Sequence, residues 1–304
     1  MMTNNIKLAT RKSPLALMQA NMVKDFLIQN GVFGKIELIS MSTSGDTLDN
    51  ETFKKEGGKG LFLKELESAL LKGRADIAVH SMKDVPATLD ARFNVSSIMK
   101  REDPRDVFIS HKHKTLYDIK TGVIGSSSPR RQAILKHINS GIKSIEIRGN
   151  IQTRLEKLKK EKLDGIILAK SGLKRMGLDT IITENLDVDD FVPSPGQGIL
   201  CLESLSKNDY VMKRIKKVVH ANTEICGSTE RIFASNMNGD CLSPIGAYAK
   251  IEKDLLTLTG YVASIDGTKF IKNKVSGKKD NYKKLAEDLS QVFLKMGSKR
   301  LLKC

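Results

Sequence analysis

Aromatic residues and cysteine are both scarce in this chain. Tryptophan is absent, aromatic residues make up 5% of the 304, and the four cysteines include no Cys-x-x-Cys pair. Scattered cysteines argue against a disulfide scaffold and against a structural zinc site. No basic stretch alternates with stacking aromatics, which argues against a nucleic-acid binder, although the pI near 9.6 keeps that class open.

Long uncharged runs are also missing. The longest, residues 191–202, contains two prolines and two glycines and is shorter than the ~18 residues that a membrane span needs. The first residues, MMTNNIKLATRKS, have no continuous apolar core, so we expect no secretory signal and a cytoplasmic location. His111 and His113 form a His-x-His pair, but their lysine-rich surroundings indicate a solvated loop, and we predict no metal site.

Acidic residues are too few to balance the basic ones. Fifty-one Lys/Arg against 35 Asp/Glu give a net charge of +16, and residues 120–177 hold fourteen Lys/Arg against four Asp/Glu. More than half of the surplus therefore lies in about one fifth of the chain, which implies an acidic partner there. A solvated lysine surface is the other interpretation, and it suits residues 157–162 better than it suits the arginines.

Strands and helices alternate through the first two-thirds of the chain. The predicted strands are 6–10, 36–43, 75–80, 122–125, 144–148, 165–169 and 198–203. Helices separate them, such as the one that Ser13 caps and Pro14 begins. Another is an amphipathic helix at 60–72. This alternation predicts an α/β fold with doubly wound parallel sheets, in which ligands bind beyond the carboxyl ends of the strands. Polar or basic side chains follow several of these ends: Lys83, Asp84, Arg130, Arg131 and Arg148.

The last third of the chain has a different character. Residues 194–198, SPGQG, interrupt the alternation and indicate a crossover or hinge. From about residue 218 we predict a small α+β domain with helices at 220–237 and 282–296 and strands at 245–251 and 255–264.

Ser126, Ser127 and Ser128 lead into a helix beside Arg130 and Arg131. Backbone N–H groups, hydroxyls and guanidinium forks together make a carboxylate or phosphate site. A helix cap with two solvent-facing arginines is the alternative interpretation. Further arginines on the neighbouring strand–helix units, at positions 148 and 154, favour the anion site.

Two further features are each open to two interpretations. Lys83-Asp84 is either a surface ion pair or a carboxylate in a cationic cleft that stabilises a developing cation or moves a proton. Cys241 lies in a loop that suggests an accessible thiol, although ordinary loop cysteines are common. Cys201 and Cys226 fall in a strand and a helix, where cysteine is commonly an inert apolar residue.

Seven segments, taken in order, resemble the hydroxymethylbilane synthase (porphobilinogen deaminase) family. They are RKSPLAL (11–17), GGKGLF (57–62), ADIAVHSMKDVP (75–86), REDPRDVF (101–108), RGNIQTRL (148–155), GQG (196–198) and GDCLSPIGAY (239–248). They span nearly the whole chain, with residues 252–304 the weakest part. The string at 75–86 is highly specific, whereas a lone GDC or a pair of arginines is not.

The resemblance implies two lobes like those of periplasmic binding proteins and a third domain: residues 1–98 with 196–217, residues 99–195, and residues 218–304. It implies a transferase that joins four porphobilinogen molecules head to tail, each losing ammonia, on a dipyrromethane cofactor thioether-linked to Cys241. Water then releases the linear tetrapyrrole hydroxymethylbilane. We expect a monomer that takes this small molecule and binds neither nucleic acid nor membrane.

The same resemblance assigns residue roles. Asp84 would be the catalytic carboxylate that contacts pyrrole N–H groups and stabilises cationic, azafulvene-like intermediates, and Lys59 and Phe62 would belong to a lid. Cofactor carboxylates would be bound by Lys83, Ser128, Arg130, Arg131 and Arg148, and substrate carboxylates by Arg11, Ser13, Ser127, Arg154 and Arg175. A guanidinium–carboxylate pair at ~4 Å contributes roughly 4 kcal/mol before desolvation, so an acid-rich chain of pyrroles rationalises many cations.

A non-catalytic two-lobed module that binds a small anion is the alternative to the enzyme. It explains the repeated units and the arginines but needs neither Cys241 nor Asp84. Two short segments also depart from the family pattern. Pro129 stands where leucine is usual, and Lys170-Ser171 replaces a small apolar pair, which adds a cation near the expected pocket.

Asp240 stands where the family has glycine, directly before Cys241. A neighbouring carboxylate disfavours the thiolate, which is the nucleophilic form of cysteine. We therefore predict that Asp240→Gly speeds attachment of the cofactor to purified apoprotein, followed as the growth of the cofactor-bearing mass with time. Equal attachment rates in the two chains would show that Asp240 has no such effect.

Overall fold

The structure, a computed structural model, describes residues 5–47, 60, 62–239 and 243–302. Its strands are β1 (Ile6–Arg11), β2 (Ile36–Met41), β3 (Ile77–Ser81), β4 (Phe93–Ser96), β5 (Asp106–Ile109), β6 (Gly122–Gly125), β7 (Ile142–Ile145), β8 (Gly165–Ala169), β9 (Glu184–Asn185), β10 (Leu200–Leu205), β11 (Ile245–Glu252), β12 (Leu255–Ala263) and β13 (Phe270–Lys278). Its α-helices are α1 (Pro14–Gln29), α2 (Ser44–Thr47), α3 (Lys64–Leu71), α4 (Pro129–Ile138), α5 (Ile151–Lys160), α6 (Lys170–Arg175), α7 (Asp209–Ile215), α8 (Ala221–Asn236), α9 (Tyr282–Lys295) and α10 (Ser298–Leu301). Single 3-10 turns lie at Met82–Asp84, Leu116–Asp118, Asp179–Ile181, Lys216–Val218 and Lys279–Asn281.

The chain divides into two compact units. The first unit is discontinuous and contains Met1–Arg101 and Ile199–Glu224, and the second contains Glu102–Gly198 and Ile225–Cys304. The α/β fold class that the alternating pattern predicts is confirmed. No helix in the described ranges combines the length and the apolar character that crossing a membrane requires.

The first unit is built on a five-stranded sheet with the order β2-β1-β3-β10-β4. Strand β1 is parallel to β2 and β3, so the carboxyl ends of these three strands share one edge. Ser13 caps α1 by accepting from the Ala16 N–H, and Pro14 begins the helix, as the sequence predicts. Val23 and Leu27 of α1 are buried against the sheet with apolar residues of β1 and β3.

The second unit contains a five-stranded sheet with the order β7-β6-β8-β5-β9. Strands β6, β7 and β8 are parallel, whereas β5 is antiparallel to β8 and β9. The expectation of wholly parallel sheets is therefore wrong for β5 here and for β10 in the first unit. Parallel neighbours are joined by a crossover connection, usually a helix packed on the same sheet. Strands β5 and β10 instead follow two of the points where the chain passes from one unit to the other, after Arg101 and after Gly198.

The rest of the second unit is an antiparallel meander, β11-β12-β13, packed against helices α8 and α9. The rings of Phe233 and Phe293 meet edge to face, with centroids 4.9 Å apart. The sequence predicts β11, β12 and both helices but misses β13. That strand lies at the sheet edge with alternating lysines and one buried residue, Ile271, so it carries little hydrophobic pattern.

Two other elements begin or end three or more residues from their predicted bounds. The strand predicted at 144–148 is β7, which ends at Ile145, so Arg148 lies beyond it. The helix predicted from Gly60 begins at Lys64.

Gly165 begins β8 beneath the ring of Phe108 from β5. A Cβ at this position would lie 2.1 Å from Cε2 of Phe108 and 3.1 Å from the carbonyl oxygen of Ile109. Phe108 is fully buried, so its ring has little room to move. We expect Gly165→Ala to lower the free energy of unfolding by about 2 kcal/mol in urea denaturation. The smaller side chain in Gly165→Ala/Phe108→Leu should recover part of that loss, and an unchanged single variant would contradict the packing.

Candidate active site

Two of the predicted residues meet where β1 ends. The guanidinium carbon of Arg11 lies 4.1 Å from the centroid of the Phe62 ring, a cation–π contact. The same ring lies against Gly45, where a Cβ would approach it within 2.4 Å. The hydroxyl of Ser13 accepts from the Ala16 N–H at 3.3 Å as the cap of α1.

The Lys83–Asp84 pair lies in the 3-10 turn that follows β3, at the same edge of the sheet. Met82 and Val85 are buried on either side of it, and Phe62 packs against the cluster that contains them. The Met82 N–H donates to the carbonyl oxygen of Ile199 at 2.9 Å. The turn is thus anchored by its neighbours, while the side chains of Lys83 and Asp84 stay half-buried.

The carboxyl ends of β6 and β7 bring Ser127, Ser128 and Arg148 to one edge in the second unit. Ser127 donates its hydroxyl to the carbonyl oxygen of Ile147, directly before the half-buried Arg148. Ser128 caps α4, and its hydroxyl accepts from the Arg131 N–H at 3.5 Å. The strand ends therefore place these residues as the sequence predicts, although both serine hydroxyls also serve the local fold.

Arg130 and Arg131 differ from the expectation that they face a ligand. They are 2% and 6% exposed, and both bind the carboxylate of Asp106, the first residue of β5. Arg130 Nη2 lies 2.7 Å from Oδ2, and Arg131 Nη2 lies 2.7 Å from Oδ1. Arg130 also donates to the carbonyl oxygen of Val192, and Arg131 donates to the carbonyl oxygen of Ile167. The carboxylate that these arginines hold in this structure is the chain's own.

The charges around Asp106 explain how a carboxylate can be fully buried. Burial by itself would raise the pKa of Asp106, but Arg130 and Arg131 hold that pKa well below its usual range. Burial lowers the pKa of Arg130, against the effect of Asp106. Gln197 also donates to Asp106 Oδ1, at 2.9 Å, and to the carbonyl oxygen of Pro104, at 2.6 Å.

The Ser194–Gly198 segment is held by a second buried carboxylate. The N–H groups of Gly196 and Ala249 each donate to Glu230 at 2.7 Å, and Glu230 is fully buried. No role was predicted for Asp106, Gln197 or Glu230. Asp106 and Gln197 lie inside the segments REDPRDVF and GQG, so the family resemblance could have pointed to them. Nothing in the helical pattern distinguishes Glu230.

Arg175, one of the predicted ligand-binding residues, has a pKa that burial shifts. Burial lowers its pKa to about 10, although Glu102 acts in the opposite direction. One of its N–H groups donates to the carbonyl oxygen of Gly198 at 2.7 Å. Since an arginine has five N–H donors, Arg175 retains hydrogen-bonding capacity toward an anion. Arg154, by comparison, donates its Nε–H to the carbonyl oxygen of Gly149 at 2.9 Å.

Lys170 is paired with a carboxylate, and two of the cysteines are buried. Lys170 Nζ lies 3.0 Å from Asp103 Oδ2, so the charge that this lysine adds has a partner within the second unit. Cys201 and Cys226 are buried, as expected. Within the described ranges, His, Cys, Asp and Glu form no group suited to a metal ion. Lys59, Asp240 and Cys241 lie outside the described residues.

Two family models match the chain. Residues 6–213 match "Porphobilinogen deaminase, dipyromethane cofactor binding domain", and residues 225–295 match "Porphobilinogen deaminase, C-terminal domain". The chain belongs to the porphobilinogen deaminase family. Relatives named porphobilinogen deaminase include those of Alkaliphilus metalliredigens (41% identical, covering 98% of this chain and 94% of the relative) and Clostridium botulinum (43%, covering 96% and 99%).

Two solved structures show a distant likeness to this member of the porphobilinogen deaminase family. The VFT2 domain of BvgS from Bordetella pertussis aligns with a TM-score of 0.45 at 14% identity, covering 76% of this chain and 90% of that one. The periplasmic aliphatic sulphonate binding protein SsuA from Escherichia coli aligns with a TM-score of 0.42 at 12% identity, covering 77% and 70%. Similarity at this level supports no statement about function.

Asp106→Asn removes the counter-charge of two buried guanidinium groups. Breaking a buried ion pair by removing one partner typically costs about 3–5 kcal/mol, so we expect a loss of that size in urea denaturation at neutral pH. Asp103→Asn is the matched control, because Asp103 binds Arg105 at a more exposed position and should cost less.

The same variant has an expected pH dependence. The folded-state pKa of Asp106 lies below its ordinary value of 3.8. Its stabilising contribution is therefore complete above about pH 4 and is lost as the pH falls toward the folded-state pKa. The stability difference between the parent and Asp106→Asn should shrink as the pH falls below about 4. A difference that stays constant with pH would show that Asp106 is not ionised in the folded protein.

Proposed function

We propose that this chain is a hydroxymethylbilane synthase. It would condense four porphobilinogen molecules head to tail, with loss of ammonia, on a dipyrromethane primer and release the linear tetrapyrrole by hydrolysis. The observation that carries the proposal is the family match, which covers 6–213 and 225–295 and includes the model of the cofactor-binding domain. The separate residue roles are proposed from the resemblance to that family, and the geometry within each unit is compatible with them.

The residues present suit an acid-rich pyrrole cofactor. Its acetate and propionate groups need cations that still have hydrogen-bond donors, and Arg175 is a partly desolvated arginine of that kind. Arg148 and Ser128 lie at the same edge of the sheet as the helix that follows β8. We propose that Cys241 holds the cofactor through a thioether, and that the bound cofactor supplies the pyrrole carbon to which the first substrate is joined.

Arg130 and Arg131 take a different part in this proposal. Their guanidinium groups bind Asp106, so they fix the helix that Ser128 caps and act on the ligand through its position. Ser127, Arg154 and Arg175 would then bind substrate carboxylates in the second unit, and Arg11 and Ser13 would do so in the first. Lys83 would contribute to cofactor binding from the turn after β3.

Asp84 would be the catalytic residue. Loss of ammonia from porphobilinogen leaves positive charge on the pyrrole, and a carboxylate placed beforehand stabilises that charge as it develops. The anchored turn supports this role, because it holds the backbone of Asp84 between two buried residues. Lys59 and Phe62 would belong to a lid that excludes water. The ring of Phe62 contacts Arg11.

We also propose a domain organisation, a location and an oligomeric state for the chain. We assign residues 1–98 with 196–217 and residues 99–195 to two lobes like those of periplasmic binding proteins, and residues 218–304 to the cofactor-attachment domain. The chain would act as a cytoplasmic monomer whose only partner is its small-molecule substrate.

Mass spectrometry and turnover test the proposal together. The purified chain should exceed the mass of its sequence by two pyrrole rings, and with porphobilinogen it should release ammonia and a linear tetrapyrrole. Cys241→Ala should lose the added mass and the activity, whereas the control Cys304→Ala should keep both. A chain with no added mass and no ammonia release would instead be the non-catalytic anion-binding module.

A further inference from the structure

A histidine and a glutamate meet inside the first unit. His80 of β3 and Glu203 of β10 are 3% and 0% exposed, and Nε2 lies 2.9 Å from Oε2. The antiparallel register places Cys201 opposite His80 and Ala78 opposite Glu203. His80 and Glu203 are therefore diagonal neighbours on one face of the sheet, and their contact joins two interior strands through side chains.

Helix α3 covers this face and adds a third titratable group, Glu67. The helix packs on the sheet through Leu66, Ala69 and Leu70. Burial raises the pKa of Glu67, and Glu203 raises it further, while His80 acts in the opposite direction. The other charged groups that act on Glu67 are Asp90 and Arg92, which bind each other at the surface at 2.7 Å.

Stability does not account for the His80–Glu203 pair. Among the described residues, Oε1 of Glu203 has no hydrogen-bond partner although it is buried. Desolvation opposes the attraction within a buried pair, and apolar residues of similar volume in its place are often neutral or stabilising. The pair is therefore better explained by structural specificity than by a gain in folding free energy.

The strands that this pair joins lead directly to the Asp84 turn. Beyond His80, Leu200 pairs with Ser81, and the Ile199 carbonyl oxygen accepts from the Met82 N–H. A register slip of one residue turns every side chain of a strand to the opposite face. The His80–Glu203 contact forms in one register only, which is the register that places the turn.

We propose that the His80–Glu203 hydrogen bond is a positioning contact for Asp84. It locks β3 against β10 and so fixes the turn at Met82–Asp84. The inference rests on the proposed function, in which Asp84 acts on the developing charge while substrate carboxylates are bound by residues outside this turn. Loss of the contact should therefore lower kcat and leave the KM for porphobilinogen nearly unchanged.

The decisive variants differ in whether the hydrogen bond survives. His80→Leu/Glu203→Leu removes the contact without stranding a buried charge, and kcat should fall by about tenfold to a hundredfold, as for misplaced catalytic groups. Glu203→Gln keeps an acceptor for the Nε2–H and should retain most of the parent kcat. Ser204→Ala, the next residue of β10 on the opposite face, is the matched control and should leave kcat unchanged.

Amide hydrogen exchange gives a readout that needs neither cofactor nor turnover. In the double-leucine variant the peptide covering residues 79–86 should exchange faster than in the parent, because the Met82 N–H loses a fixed partner. Exchange in the second unit should stay at parental rates. Glu203→Gln should match the parent throughout.

Three results would overturn the proposal: parental kcat in the double-leucine variant, an equal kcat loss in Glu203→Gln, or faster exchange spread over the whole chain. If the parent chain makes no tetrapyrrole, the proposed function fails, and the exchange comparison still decides whether the pair fixes the turn. Should the double-leucine chain not fold, Glu203→Asp takes its place, because the shorter side chain draws the carboxylate away from Nε2.

Discussion

One buried carboxylate organises the second unit. Asp106 is the meeting point of β5, of the helix that carries Arg130 and Arg131, and of Gln197 in the Ser194–Gly198 segment. Each of these groups would be costly to bury alone, and together they satisfy one another. The edge of the sheet where Ser127, Ser128 and Arg148 lie therefore depends on an ion pair in the interior.

The surplus of basic residues is used in two different ways. Arg130, Arg131 and Lys170 bind carboxylates of the chain itself, so part of the charge that the composition assigns to an acidic ligand belongs to the scaffold. Arg175 differs, because burial lowers its pKa and its described hydrogen bond goes to a single carbonyl oxygen. Counting charges along a sequence cannot separate these uses, since both kinds of arginine follow strand ends.

Local pattern predicted much of the fold and the elements that carry the candidate site. The cap at Ser13 and the strand at 165–169 lie where propensity and periodicity indicate, because both signals are contained in a few neighbouring residues. Contacts between residues far apart in sequence determine the antiparallel direction of β5 and β10. They also determine the burial of the Arg130 side chain. Asp106 and Glu203 were missed for the same reason: their partners are 24 and 123 residues away.

The place of β10 in its sheet has a consequence for synthesis of the protein. It lies between β3 and β4, yet it follows both in the chain by about a hundred residues, with the first sheet of the second unit encoded in between. During synthesis, one edge of β3 has no partner strand until β10 has been made. The first sheet of the second unit uses only β5 to β9, so it can form before that point. Domains generally fold as they emerge, and exposed strand edges favour misassembly. The sheet whose strands are made first is therefore completed only after the middle of the chain has been made, and the edge of β3 stays unpaired until then.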